Sequence, residues 1–147
     1  MSKKIDRFKL LLDLAERKRK EAERLLGESQ QRVAQAEAGL RQLSQYQLEY
    51  QQQFQAAGRN GLSSGGIQTY QAFINKLSAT SLQQEQALKQ SRAQLEQVEI
   101  YWRQAMAHHK AMQKLLDKAQ EEQRRHGDKR LQQELDERAQ HTRPTYI

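Results

Sequence analysis

Apolar side chains recur along this chain in alternating steps of four and three. From Phe8 the stepping gives Phe8, Leu12, Ala15, Arg19, Ala22, Leu26, Ser29, Val33, Ala36, Leu40, Leu43, Gln47, Tyr50 and Phe54, and eleven of those fourteen are apolar. A second stripe runs Ile67, Tyr70, Ile74, Leu77, Ser81, Gln84, Leu88, Ser91, Leu95, Val98, Trp102, Ala105, His109, Met112, Leu116 and Ala119, with twelve of sixteen apolar. A mean period of 3.5 keeps one face of a helix turned to a partner where a period of 3.6 drifts away, so each stripe predicts a long helix with a left-handed coiled-coil seam.

Between the stripes, residues 58–66 read Gly-Arg-Asn-Gly-Leu-Ser-Ser-Gly-Gly and hold four of the seven glycines. Glycine at Gly58 releases the first helix, and Ser63 or Ser64 caps the second, which predicts helices over about 4–57 and 67–140 joined by a turn at 58–66. A fold-back centred on Leu62 sets residue i against residue 124 minus i. The stripes then match layer for layer: Phe8 meets Leu116, Ala15 meets His109, Arg19 meets Ala105, Ala22 meets Trp102, Leu40 meets Gln84, and Phe54 meets Tyr70. No layer sets polar against polar, and the largest side chain faces an alanine. The pattern therefore predicts an all-α chain, one antiparallel coiled-coil hairpin spanning 1–147, with arms of about 50 residues and roughly 75 to 80 Å. Beyond Ala119 the second arm outruns the first, so 120–147 reads as a charged overhang with a weak point at Gly127 and a frayed end after Gln140. Gly27, inside the first arm, marks a close contact or a slight bend.

Composition narrows the function classes. Only 36% of the 147 residues are hydrophobic and 25 are glutamine, too little apolar material for a thick core. There is no cysteine, no apolar run of membrane-span length and no secretory h-region, so a cytoplasmic location is expected. The net charge of +7 is uneven: 1–27 carry nine basic and five acidic side chains, 28–102 six of each, and 103–147 ten and seven. The hairpin gathers the basic excess at the open end and leaves the turn end neutral, glutamine-rich and aromatic, which suggests two different partners.

No catalytic constellation appears, and no enzymatic activity, cofactor or metal is expected. His108 and His109 are adjacent and point about 100° apart on a helix, and His109 falls in the seam as a polar register-setting residue. His126 and His141 read as surface residues. Phosphate-loop and nucleophile motifs are missing. Arg17, Lys18, Arg19 and Lys20 form a basic cluster, but Glu16, Glu21 and Glu23 interleave, which fits a solvated face or a protein socket better than a nucleic-acid track. Near the turn, Tyr46, Leu48 and Phe73 lie off the stripe beside Leu43, Tyr50, Tyr70 and Leu77, more aromatic surface than two helices bury, and so a candidate docking patch.

Asp13-Leu14-Ala15-Glu16, Ala22-Glu23-Arg24-Leu25-Leu26-Gly27-Glu28, Tyr46-Gln47-Leu48-Glu49-Tyr50, Asn60-Gly61 and Tyr70-Gln71-Ala72-Phe73-Ile74, followed by Leu77, stand in order around the turn. Together they resemble the FliJ family of bacterial flagellar type III export proteins. The resemblance implies a non-enzymatic, central-stalk-like coiled coil at the flagellar base, peripheral to the inner membrane through its partners. Those partners are the export ATPase hexamer and its regulator, the cytoplasmic domain of the export gate, and export chaperones. By that likeness Arg7, Arg17, Lys18, Arg19, Lys110 and Lys114 would contact the ATPase ring, and Leu43, Tyr46, Tyr50, Phe73 and Leu77 would dock on the gate. No nucleic acid is expected. An injectisome stalk protein of the same fold, a basic coiled coil binding nucleic acid, and a plain structural or chaperone-like hairpin are the competing readings.

Overall fold

The computed structural model describes residues 2–142. Two helices account for nearly all of them, α1 (Lys3–Arg59) and α2 (Ser64–Thr142), arranged as an antiparallel coiled-coil hairpin. Both start on a serine. The Ser2 hydroxyl accepts the Ile5 N–H at 3.4 Å and the Ser63 hydroxyl accepts the Gly66 N–H at 3.2 Å, each satisfying a first-turn amide that has no partner inside its helix. Ser63 is thus the cap, and Ser64 is already helical.

The connection is shorter than the glycine run suggests, comprising Asn60, Gly61, Leu62 and Ser63. Gly58 does not release α1. The helix continues through it to Arg59, and the chain turns at Gly61, whose φ of 86° is the left-handed conformation that glycine takes without strain. The Gly61 N–H donates to the Gly58 carbonyl at 3.2 Å and the Asn60 N–H to the Ala57 carbonyl at 3.1 Å, so the last turn of α1 closes on tighter bonds. Gly65 and Gly66 belong to the first turn of α2 instead of the loop. A Cβ on Gly66 would stand 2.9 Å from Leu62 Cδ2, so the bare backbone there leaves room for Leu62 to fold over it.

Along α1, all fourteen seam positions from Phe8 to Phe54 are buried or half-buried, and along α2 all from Tyr70 to Ala119 are. Ile67 is the exception, 44% exposed. The register sets it against Ala57, in the last turn of α1, where an alanine is too short to cover it. Gly27 is exposed, and a methyl group added to it would meet no neighbour within 4 Å, so it marks no close contact.

The chain divides into two compact units, Met1–Glu21 with Arg103–Ile147, and Ala22–Trp102. In the first, Ile5, Leu116 and Ala119 are buried with Phe8 and Leu12 packed against them. Ile5 continues the stripe one step before Phe8 and falls opposite Ala119. Ala15 and Ala105 are also buried, beside a half-buried Arg19. Past Ala119, α2 runs on through Gly127 without a break to Thr142, and its described side chains are exposed apart from a half-buried Glu121. The helix thus reaches two residues past the expected end at about Gln140, and 143–147, where the rest of the expected frayed tail falls, lie outside the described residues. In the second unit Ala22 is fully buried and Ser29 is 4% exposed, the layer chemistry of a narrow seam. The Trp102 indole N–H is shut from solvent with no acceptor among the described residues.

Candidate docking surfaces

The aromatic patch is built on a stack inside the unit Ala22–Trp102. Phe54 and Tyr70, set opposite each other by the register, stack at 3.5 Å between ring centroids and 12° between planes. Tyr50 stacks on Tyr70 at 5.4 Å and meets Phe73 at 4.2 Å with the rings tilted by 41°. Three residues of the seam therefore form a rigid base, and Phe73 rests on its edge, 38% exposed. Tyr46 sits one helical turn before Tyr50 and is 63% exposed. Leu43 and Leu77, each one turn from a patch aromatic, are half-buried in the seam and contribute edges only. Beside the stack, a cavity of about 370 Å³ is lined by Phe54, Ala57, Leu62, Gly66 and Tyr70 among others. Leu62 escaped sequence reasoning because loop residues carry no helical period; the glycine four positions later was its only signal.

Solvent competes poorly for such a surface. A ring already held by stacking loses little conformational freedom when a partner covers it, and tyrosine offers both an apolar face and a hydroxyl. Tyr46, Leu48 and Phe73 are the residues named off the stripe that stand open enough to be covered by another protein.

The basic residues lie in the other unit and divide by environment. Arg7, Arg17, Lys18, Lys110 and Lys114 are exposed. Arg17 is held by Asp13 at 3.2 Å, and Glu16 lies 3.8 Å from both Arg19 and Lys20. Arg19 differs from its neighbours in being a half-buried seam residue, so its stem packs while its head reaches Glu16. Lys4 Nζ stands 5.8 Å from the centre of the Phe8 ring. Farther along α2, Arg124 and Arg125 approach Glu121 at 2.7 and 3.4 Å, and the Arg124 hydrogen bond, with the charge of both arginines, holds the Glu121 carboxyl below the usual glutamate value.

His109 is half-buried in the seam, and His108, His126 and His141 are exposed. Among the described residues no group of His, Asp or Glu side chains is placed to hold a metal ion, and no helix is long and apolar enough to cross a membrane.

The model of the FliJ family, described as flagellar FliJ protein, matches residues 3–143. The flagellar FliJ protein of Salmonella typhi is 40% identical over 87 residues, 59% of this chain and 54% of that protein. The flagellar FliJ protein of Escherichia coli K12 is 33% identical over 108 residues, 74% of each chain. The chain thus spans about half the length of the first relative and about three quarters of the second. No solved structure matches. With every residue from the start of α1 to the end of α2 inside the family match, the chain belongs to the flagellar FliJ protein family.

Proposed function

We propose that this protein is a non-enzymatic component of the flagellar type III export apparatus, a stalk-like coiled coil that joins the export ATPase ring to the export gate. The observation that carries the reading is the pair of unlike surfaces: Tyr46 and Phe73 stand exposed on a fixed aromatic base in one unit, while Arg7, Arg17, Lys18, Lys110 and Lys114 stand exposed in the other. The aromatic surface suits a single hydrophobic docking contact. The basic one suits many weak contacts with the repeated loops of a ring.

In this reading the charged unit binds the assembled hexamer better than its separate subunits and so favours assembly and turnover by linkage, with no chemistry of its own. Leu43, Tyr46, Tyr50, Phe73 and Leu77 dock on the cytoplasmic domain of the gate, and the same protein meets the ATPase regulator and escorts export chaperones. It works in the cytoplasm, next to the inner membrane through those partners. The ion pairs of Arg17, Arg19 and Lys20 with Asp13 and Glu16 favour protein contacts over a phosphate backbone, and the flagellar family match favours flagellar over injectisome export.

The test is the ATPase rate and hexamer content of the cognate export ATPase with and without the protein, using a double Arg17→Glu, Lys18→Glu variant. These two residues are chosen over Arg19 because both are exposed, so their reversal leaves the seam intact. Stimulation by the native chain that the variant loses is the expected result. Equal rates and equal assembly in all three samples would overturn the ring contact.

A further inference from the structure

The two flanks of the seam in the unit Ala22–Trp102 differ in chemistry. On one flank, marked by the Arg92–Glu37 ion pair at 3.1 Å, the heptad positions that follow the second apolar residue carry Glu23, Glu37, Glu85 and Glu99 against the single base Arg92. On the opposite flank, marked by the Tyr50–Phe73 contact, the positions that precede the first apolar residue carry no acid, and their one charge is Arg32. Arg32 is exposed and holds no ion pair among the described residues. Beside it the flank opens into a cavity of about 400 Å³, its wall mostly carbon, lined by Leu25, Ser29, Ala93, Gln94 and Val98 among others. The cavity has a sequence cause. Ser29 is a small, buried seam residue and Ala93, on the exposed edge of α2, reaches no farther than its methyl group, so neither covers the opening.

We propose that this groove docks an amphipathic helix of another protein, one that sets aliphatic side chains into the cavity and a carboxylate against Arg32. A helix is the occupant that fits a groove between two helices, since it turns a three-and-four stripe into the gap and completes a three-helix packing. Charge decides the sign: Arg32 and Glu28 both line the cavity, and Glu28 is already taken by Arg24 at 2.6 Å, which leaves Arg32 as the charge there with no ion pair among the described residues. A second copy of this chain is disfavoured on the same ground. Presenting this flank, it would bring arginine towards arginine; presenting the acidic flank, it would bring no aliphatic side chain at the positions of Glu23, Glu37, Glu85 and Glu99 themselves. A single cation beside an apolar wall also leaves nothing for a nucleic acid to track. The groove is separate from the aromatic patch and does not rest on the gate-docking reading.

The probe is a fluorescein-labelled synthetic helix of about 18 residues, with leucines at i, i+3 and i+7, glutamates at two positions flanking that stripe and alanines elsewhere, so that it is helical alone. A second peptide replaces every glutamate with lysine. Anisotropy titrations with the full chain should show the acidic peptide binding and the basic one failing. Ala93→Glu, an exposed position that adds bulk and charge at the groove, should weaken binding at least tenfold, roughly the worth of one good interface contact. Arg32→Glu should weaken it about fivefold and admit the basic peptide. Tyr46→Ala should leave it unchanged. Circular dichroism of each variant verifies that the helices are kept. Absence of binding by the acidic peptide, equal binding by the basic one, or indifference to Ala93→Glu would overturn the proposal. So would sedimentation showing that the chain self-associates through a contact that Ala93→Glu abolishes.

Discussion

In the unit of Met1–Glu21 with Arg103–Ile147, the seam is closed mostly by small and aliphatic side chains: Ala15, Ala105, Ala119, Ile5 and Leu116 are buried, with Phe8 and Leu12 packed against the last three. Beside the loop, in the unit Ala22–Trp102, the layers are Tyr50, Phe54 and Tyr70, none of them fully covered, with Tyr46 and Phe73 farther out. Two helices hide an alanine by approaching each other, but they cannot enclose a tyrosine ring, because each helix offers only one face. The first arrangement spends its apolar atoms on holding the helices together. The second leaves a large share of them on the surface, where they are available to a partner.

The comparison breaks most visibly under core truncation. Leu116→Ala should destabilise the chain by about 2 to 3 kcal/mol, whereas Phe54→Ala, although it removes more atoms, should cost about 1 to 2 because its ring is half-exposed. Urea unfolding followed by circular dichroism measures both, and a larger loss from Phe54→Ala would show that the stack is a core after all. Next in size are two glycines whose backbones differ. Gly61→Ala should cost about 1 kcal/mol through its left-handed φ, while Gly27→Ala, in a helix interior with open space around it, should gain about as much. Opposite signs in the same unfolding assay are the outcome expected.

Tyr46→Ala comes third. Its effect on stability should stay within about 0.5 kcal/mol because the ring lies mostly in solvent, while binding to the gate domain, measured by titration calorimetry, should fall at least tenfold. A loss of stability without loss of binding would make the patch structural. The smallest effect concerns pH. With its folded value depressed, Glu121 contributes helix stability that is present above the unfolded glutamate pKa and is lost as pH falls through the lower folded value. Helicity should therefore dip on acidification through that window, and Glu121→Gln should remove this part of the dip.

Most of the fold was legible because a 3.5-residue period is a long-range signal: Phe8 and Leu116 announce their partnership from opposite ends of the chain, and both lie in one buried cluster. The loop was less legible. A run with four glycines contains more conformational freedom than the turn uses, and the choice of Gly61 over Gly58 depends on local hydrogen bonds and on where Leu62 finds room. Ile67 shows the same limit, since periodicity names the seam position but not the length of the side chain that must cover it. Tyr46 and Phe73 could be found because they are aromatic residues off the stripe. The groove at Leu25 and Val98 could not, as it arises from what Ser29 and Ala93 lack.

The run of α2 past Ala119 has a consequence for how the molecule opens. Amides in 120–142 are protected only by bonds within their own helix, so they exchange with solvent deuterium whenever that stretch unwinds, with no need to part α1 from α2. Amides around Leu116 wait for a larger opening. One continuous helix therefore carries two clocks, a fast one in its final turns and a slow one where Ile5 and Phe8 lie against it.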